Sequence, residues 1–133
     1  YAELNDAARK LAAEFLPGAL TLVLKKKPGI NTGIAKGIDT VGVRIPDNEF
    51  CIELAKSFGK PYTATSANKS GQIPEVSIEK ITEQLGDSAK LVSMAVDAAI
   101  FPMRPPTTVV NLVSGKPIIL REGAISAAQI LAA

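Results

Sequence analysis

Thr107-Thr108-Val109-Val110-Asn111-Leu112-Val113-Ser114-Gly115-Lys116-Pro117-Ile118-Ile119-Leu120-Arg121 reads as two β-strands, Thr107 to Val113 and Ile118 to Arg121, joined by the tight turn Ser114-Gly115-Lys116-Pro117. A hairpin pairs its strands antiparallel. Upstream of it, strand patterns alternate with helical ones, the sequence sign of parallel crossover connections. Together they predict an α/β domain whose sheet is mixed rather than purely parallel.

Working outward, Leu4, Ala8, Leu11 and Phe15 recur at helical spacing and predict a helix over Ala2 to Phe15, stopped by Pro17-Gly18. Leu20 to Lys25 and Thr40 to Ile45 read as strands around a loop-like Lys26 to Asp39. Asp47 is placed to cap a helix over about Asn48 to Phe58, closed by Gly59, and Tyr62 to Thr65 reads as the strand after it. Ser77 opens a second such unit. Ile78, Ile81 and Leu85 share a helical face, Gly86 ends it, and Leu91 to Val96 supplies an apolar strand. Beyond the hairpin, Ser126 and Gln129 fit a capping box for a short last helix. No internal repeat or low-complexity tract is present. The chain opens on Tyr1 rather than Met and runs straight into a helical pattern, as a fragment would.

With 133 residues and 47% apolar content, the chain has the means for one globular domain with a real core. No apolar run approaches the roughly 20 residues that span a bilayer, and no signal-peptide pattern opens the chain, so a soluble cytoplasmic protein without membrane contact is expected. The single cysteine excludes an internal disulfide, and with no histidine it argues against a structural zinc site and against Ser-His or Cys-His catalysis. Cys51 lies beside Phe50, Leu54, Ala55 and Phe58 and reads as a packed core thiol rather than a nucleophile.

A net charge of +2 does not by itself argue for nucleic acid. By region the charge is more telling. Between Leu20 and Ile45, Lys25, Lys26, Lys27, Lys36 and Arg44 face only Asp39, and between Leu54 and Pro74 Lys56, Lys60 and Lys69 have no acidic neighbour. Solvated lysines and a phosphate-bearing ligand both account for this. Arg44 sits in the apolar strand Val41-Gly42-Val43-Arg44-Ile45 before Pro46, and Arg121 follows Ile118-Ile119-Leu120. A half-buried guanidinium needs a partner, and carboxylate or phosphate suits its planar fork. For Arg121 an internal pair with Glu122 or another carboxylate serves equally, and the same balance holds for Arg44. In Tyr62-Thr63-Ala64-Thr65-Ser66-Ala67-Asn68-Lys69-Ser70-Gly71 a β-prone stretch ends in small polar residues, which fits a capped turn or a ligand loop. Neither G-x-x-x-x-G-K-[ST] nor G-x-G-x-x-G occurs, and no carboxylate couple or metal cage stands out.

Taken in order, Pro17-Gly18-Ala19-Leu20-Thr21-Leu22, Thr40-Val41-Gly42-Val43-Arg44-Ile45-Pro46, Ser66-Ala67-Asn68-Lys69-Ser70-Gly71, Thr107-Thr108-Val109-Val110 and Ile119-Leu120-Arg121-Glu122-Gly123-Ala124-Ile125-Ser126 resemble the YrdC-like threonylcarbamoyl-AMP synthases over nearly the whole chain. The resemblance implies a twisted α/β sheet around an open, positively charged cleft. It also implies a nucleotidyltransferase that turns L-threonine, bicarbonate and ATP, with Mg²⁺ expected, into threonylcarbamoyl-AMP and pyrophosphate. Possible partners on that reading are tRNA or double-stranded RNA and the proteins that pass the threonylcarbamoyl group on to tRNA.

Position by position, the resemblance makes Thr40, Ser66, Asn68 and Arg121 ATP contacts. Arg44 becomes the holder of the threonine carboxylate, with Thr63, Ala64, Thr65 and Thr107 lining the threonine pocket. Thr107 stands where the family usually has serine. No catalytic residue and no metal ligand is assigned, since positioning and electrostatics can carry an adenylyl transfer. The family's K-x-R element lies upstream of the matched segments, so the chain resembles one YrdC-like domain short of its N-terminal part, with weak or no turnover expected in isolation. Two other readings stay open: a double-stranded RNA-binding module without catalysis, and the carbamoyl-adenylate-forming domain of a hydrogenase-maturation protein.

Overall fold

Asn5 decides where the first helix begins. Its Oδ1 accepts the Ala8 N–H at 2.9 Å and its Nδ2 donates to the Leu112 carbonyl at 2.7 Å, so α1 (Asp6–Phe15) starts later than the apolar spacing predicts. The residues before it are extended: Ala2 bridges Lys26, and the Glu3 N–H donates to the Lys25 carbonyl at 2.8 Å. The computed structural model describes residues 1–31, 33–97 and 104–133.

Two compact units make up the chain, Tyr1–Lys60 with Pro105–Ala133, and Pro61–Arg104. The first holds a four-stranded sheet in the order β2-β1-β3-β4, built from β1 (Leu20–Lys25), β2 (Thr40–Val43), β3 (Thr108–Asn111) and β4 (Ile118–Arg121). β1 runs parallel to β3, while β1–β2 and β3–β4 are antiparallel, so the sheet is mixed as the hairpin predicts. Alternation divides each strand between two faces. Leu20, Leu22, Leu24, Val110 and Leu112 are buried on one face with Ala8 and Leu11 of α1 and with Ile125 and Ile130. Ile130 belongs to α4 (Ala127–Ala132), which the expected capping box opens: the Gln129 N–H donates to Ser126 Oγ at 3.3 Å, and the Ser126 N–H donates back to Gln129 Oε1 at 3.0 Å. Thr21, Val23, Val109 and Asn111, of opposite parity, lie half-buried on the second face.

Buried Thr108 joins the strands to the last helix. Its hydroxyl donates to the Ile125 carbonyl at 2.5 Å and accepts the N–H groups of Gly123 and Ile125 at 3.0 and 3.1 Å. Gly123 is required on space alone, because a Cβ there would run into the Pro106 carbonyl oxygen and the Thr107 backbone.

Several expectations are corrected. Asn48, not Asp47, caps α2 (Glu49–Phe58), since its Oδ1 meets the Cys51 N–H at 3.0 Å, three positions on. Gly59 closes α2 in the left-handed conformation, φ 71°, as expected. α2 has no buried residue; Phe50, Leu54 and Phe58 are exposed and Cys51 is half-buried, so the thiol is not in a core. β2 ends at Val43, before Ile45, whose carbonyl accepts the Gly18 N–H at 2.8 Å outside the ladder.

In the second unit, Ser77 caps α3 (Ile78–Leu85), as predicted. Neither strand expected there forms. Tyr62 to Thr65 is irregular, exposed chain, and the run from Leu91 follows a 3₁₀ turn over Gly86–Leu91 into irregular chain with Leu91 and Met94 exposed. β-prone side chains make a strand only where a neighbouring strand takes the backbone bonds. No helix among the described residues is long and apolar enough to cross a membrane.

Candidate functional site

Alternation that buries the leucines of β1 also sends Thr40, Gly42 and, just past the strand end, Arg44 toward the second face, in the direction of Thr21. Thr21 Oγ1 lies 3.1 Å from Thr107 Oγ1. From the far side of β3, Arg121 donates through Nη2 to the same Thr107 hydroxyl at 3.1 Å, and through Nε and Nη2 to the Thr107 carbonyl at 3.1 and 2.9 Å. On the near side, Arg44 Nε donates to the Gly18 carbonyl at 3.1 Å. The β1–β2 register, Leu22 opposite Val43, brings Arg44 level with Thr21.

Two guanidiniums therefore flank a pair of threonine hydroxyls across β1, β3 and β4. Both arginines are exposed rather than half-buried, and among the described residues neither pairs with a carboxylate; Arg121 spends its bonds on Thr107, not on Glu122. Backbone carbonyls orient both forks and leave their positive charge unneutralised by any acid among the described residues. Such a preset pair of forks suits a ligand carrying carboxylate or phosphate. Thr21 was not among the candidates from sequence; its signal was a hydroxyl alternating with leucines in an otherwise apolar strand.

Thr40 faces a neighbouring recess of about 390 Å³ lined by Lys25, Lys26, Lys27, Asn31 and Asp39, among others. Some of the cationic character is spent internally: Lys25 lies 3.6 Å from Glu3, Lys26 Nζ donates to the Ala35 carbonyl at 2.7 Å, and Lys56 pairs with Glu53 at 2.7 Å. Lys60 sits over the Phe58 ring. Thr32 of this loop lies outside the described residues.

The remaining candidates belong to the second unit. Thr63, Ala64, Thr65 and Ser66 are exposed on irregular chain. Asn68 organises the turn after it, with Nδ2 donating to the carbonyls of Lys69 and Gln72, both at 2.8 Å, while its buried Oδ1 has no partner among the described residues. Gln84 of α3 clamps the same loop at both ends, accepting the Lys69 N–H at 3.1 Å and donating to the Ile73 carbonyl at 3.0 Å. Sequence reading placed only the apolar face of α3 and missed Gln84, because a glutamine on a helix carries no motif.

Comparison with known proteins gives one consistent picture. A family model described as telomere recombination, covering Sua5, YciO and YrdC, matches residues 1–123. A Methanocaldococcus jannaschii relative is 39% identical over 125 residues, taking in 94% of this chain and 56% of its own length. The threonylcarbamoyl-AMP synthase of Pyrococcus abyssi is 33% identical over 128 residues, taking in 96% of this chain and 37% of its own length. Among solved structures, P. abyssi Sua5 complexed with L-threonine superposes with a TM-score of 0.82 at 32% identity, over 96% of this chain and 37% of that one. Escherichia coli YciO gives 0.76 at 25% identity, over 98% and 63%. The chain thus spans about half, or less, of the length of the curated relatives it matches.

Proposed function

The chain belongs to the Sua5, YciO and YrdC family, and from that membership we propose that it binds ATP and L-threonine as the core of a threonylcarbamoyl-AMP synthase. The observation that carries the reading is the row Arg44, Thr21, Thr107 and Arg121, which offers two oriented cations and two hydroxyls on one sheet face. The reaction needs that combination. The threonine amine and bicarbonate combine to a carbamate with loss of water; a carbamate oxygen then attacks the α-phosphorus of ATP, and pyrophosphate leaves. The carbamate and ATP are both anions, so the chain's task is to hold two repelling charges at bonding distance, which fixed guanidiniums accomplish by neutralisation and alignment.

In this reading Arg44 holds the threonine carboxylate, and Thr107, pinned from both sides, orients the amino acid. Arg121 and Thr40 take the nucleotide; in the second unit, taken by itself, Ser66 and Asn68 are nucleotide contacts and Thr63, Ala64 and Thr65 are threonine contacts. Magnesium would arrive on the phosphates of ATP; no three acidic or thiol ligands gather among the described residues. The product is an acyl adenylate, an activated donor for transfer of the threonylcarbamoyl group to tRNA.

The test is an NMR titration of this chain with ATP and then L-threonine, following backbone amides. Saturable shifts clustered at Thr40, Arg44, Ser66, Thr107 and Arg121 support the reading. A folded sample with no shifts at those segments removes it for this chain.

A further inference from the structure

Gly42 stands in the middle of β2, opposite Val23, and its backbone is not in the left-handed region that calls for glycine. Nor does space demand it: among the described residues a Cβ built there meets only the Thr21 methyl, at an ordinary 3.5 Å. Contrast Gly123, where a Cβ collides with backbone. A strand glycine with a normal backbone and room for a side chain weakens its sheet, and the recurring physical reason for one is the close approach of a ligand or another backbone.

Its position says what approaches. Thr40, Gly42 and Arg44 succeed one another on the second face at steps of about 7 Å. Gly42 is exposed, and the Thr21 methyl borders it. Resting on the proposed roles of Thr40 and Arg44, we propose that Gly42 is a bare floor on which the junction of amino acid and nucleotide lies, the carbamoyl group and α-phosphate packing against β2 backbone. A side chain there would stand between the two halves of the acyl adenylate.

The experiment compares the wild-type chain with Gly42→Ala and Gly42→Val by thermal unfolding and by calorimetric titration with ATP and with L-threonine. Stability and binding should move in opposite directions. The Ala variant should melt higher by about 2–5 °C, because it sheds the entropy cost of a strand glycine. The Val variant should hold its fold and lose about tenfold or more in affinity for both ligands. A stable Val variant that binds as the wild type does overturns the proposal, as does a fall in melting temperature for both variants, which would make the glycine a packing requirement. A wild-type chain that binds neither ligand defeats the functional reading itself, and this inference with it.

Discussion

Arg121 and Thr107 are joined three times over, with Nε and Nη2 converging on the Thr107 carbonyl and Nη2 also reaching its hydroxyl. The arginine therefore locks the loop entering β3 before any ligand arrives. Lysine retains the charge but not the fork. Arg121→Lys should lower ATP affinity by about tenfold while leaving the fold intact, read by calorimetric titration. Unchanged affinity would make Arg121 a loop brace only.

Among the described residues the Arg44 side chain makes one hydrogen bond, to the Gly18 carbonyl. Arg44→Ala should weaken L-threonine binding more than ATP binding, each measured separately on the same sample. Equal loss of both would assign the side chain to holding the Gly18 turn.

Thr108 is a stability prediction. Valine keeps the shape but orphans the buried Ile125 N–H and carbonyl and the half-buried Gly123 N–H, so Thr108→Val should cost about 2–4 kcal/mol in urea unfolding. Thr108→Ser, which keeps the hydroxyl, should lose markedly less.

Gln84 can be tested without any ligand. Gln84→Ala removes the acceptor of the Lys69 N–H, and hydrogen exchange at Lys69 should accelerate by roughly 5–10-fold. If exchange there is unaltered, the clamp does not hold the Asn68 loop in solution.

Much of the sheet-bearing unit was legible because its signals are local. Leucines at alternate positions of β1, the Ser126 and Gln129 box and Gly59 each act within a few residues. Cap choice between Asp47 and Asn48 was not legible, since both side chains can accept and only the helix phase decides. The false strands at Tyr62 to Thr65 and Leu91 to Val96 have β-prone composition, but pairing is a property of neighbours, which composition does not carry. At the site, the arginines stood out by sitting in apolar runs. Their true partners, carbonyls of Gly18 and Thr107, are invisible in sequence because every residue has one.

Leu20 pairs with Thr108 in the parallel β1–β3 ladder, so the centre of the sheet joins positions separated by most of the chain. A ribosome must deliver everything through β3 before the inner edge of β1 finds its partner. Until then β1 and β2 form a two-stranded ribbon whose apolar face is covered by α1 but not by Val110, Leu112 or Ile130, a species marginal in water and prone to associate with others like it. Nascent chains stalled before Thr108 should therefore be sticky and protease-sensitive, and the arrival of β3 sets when the sheet can close.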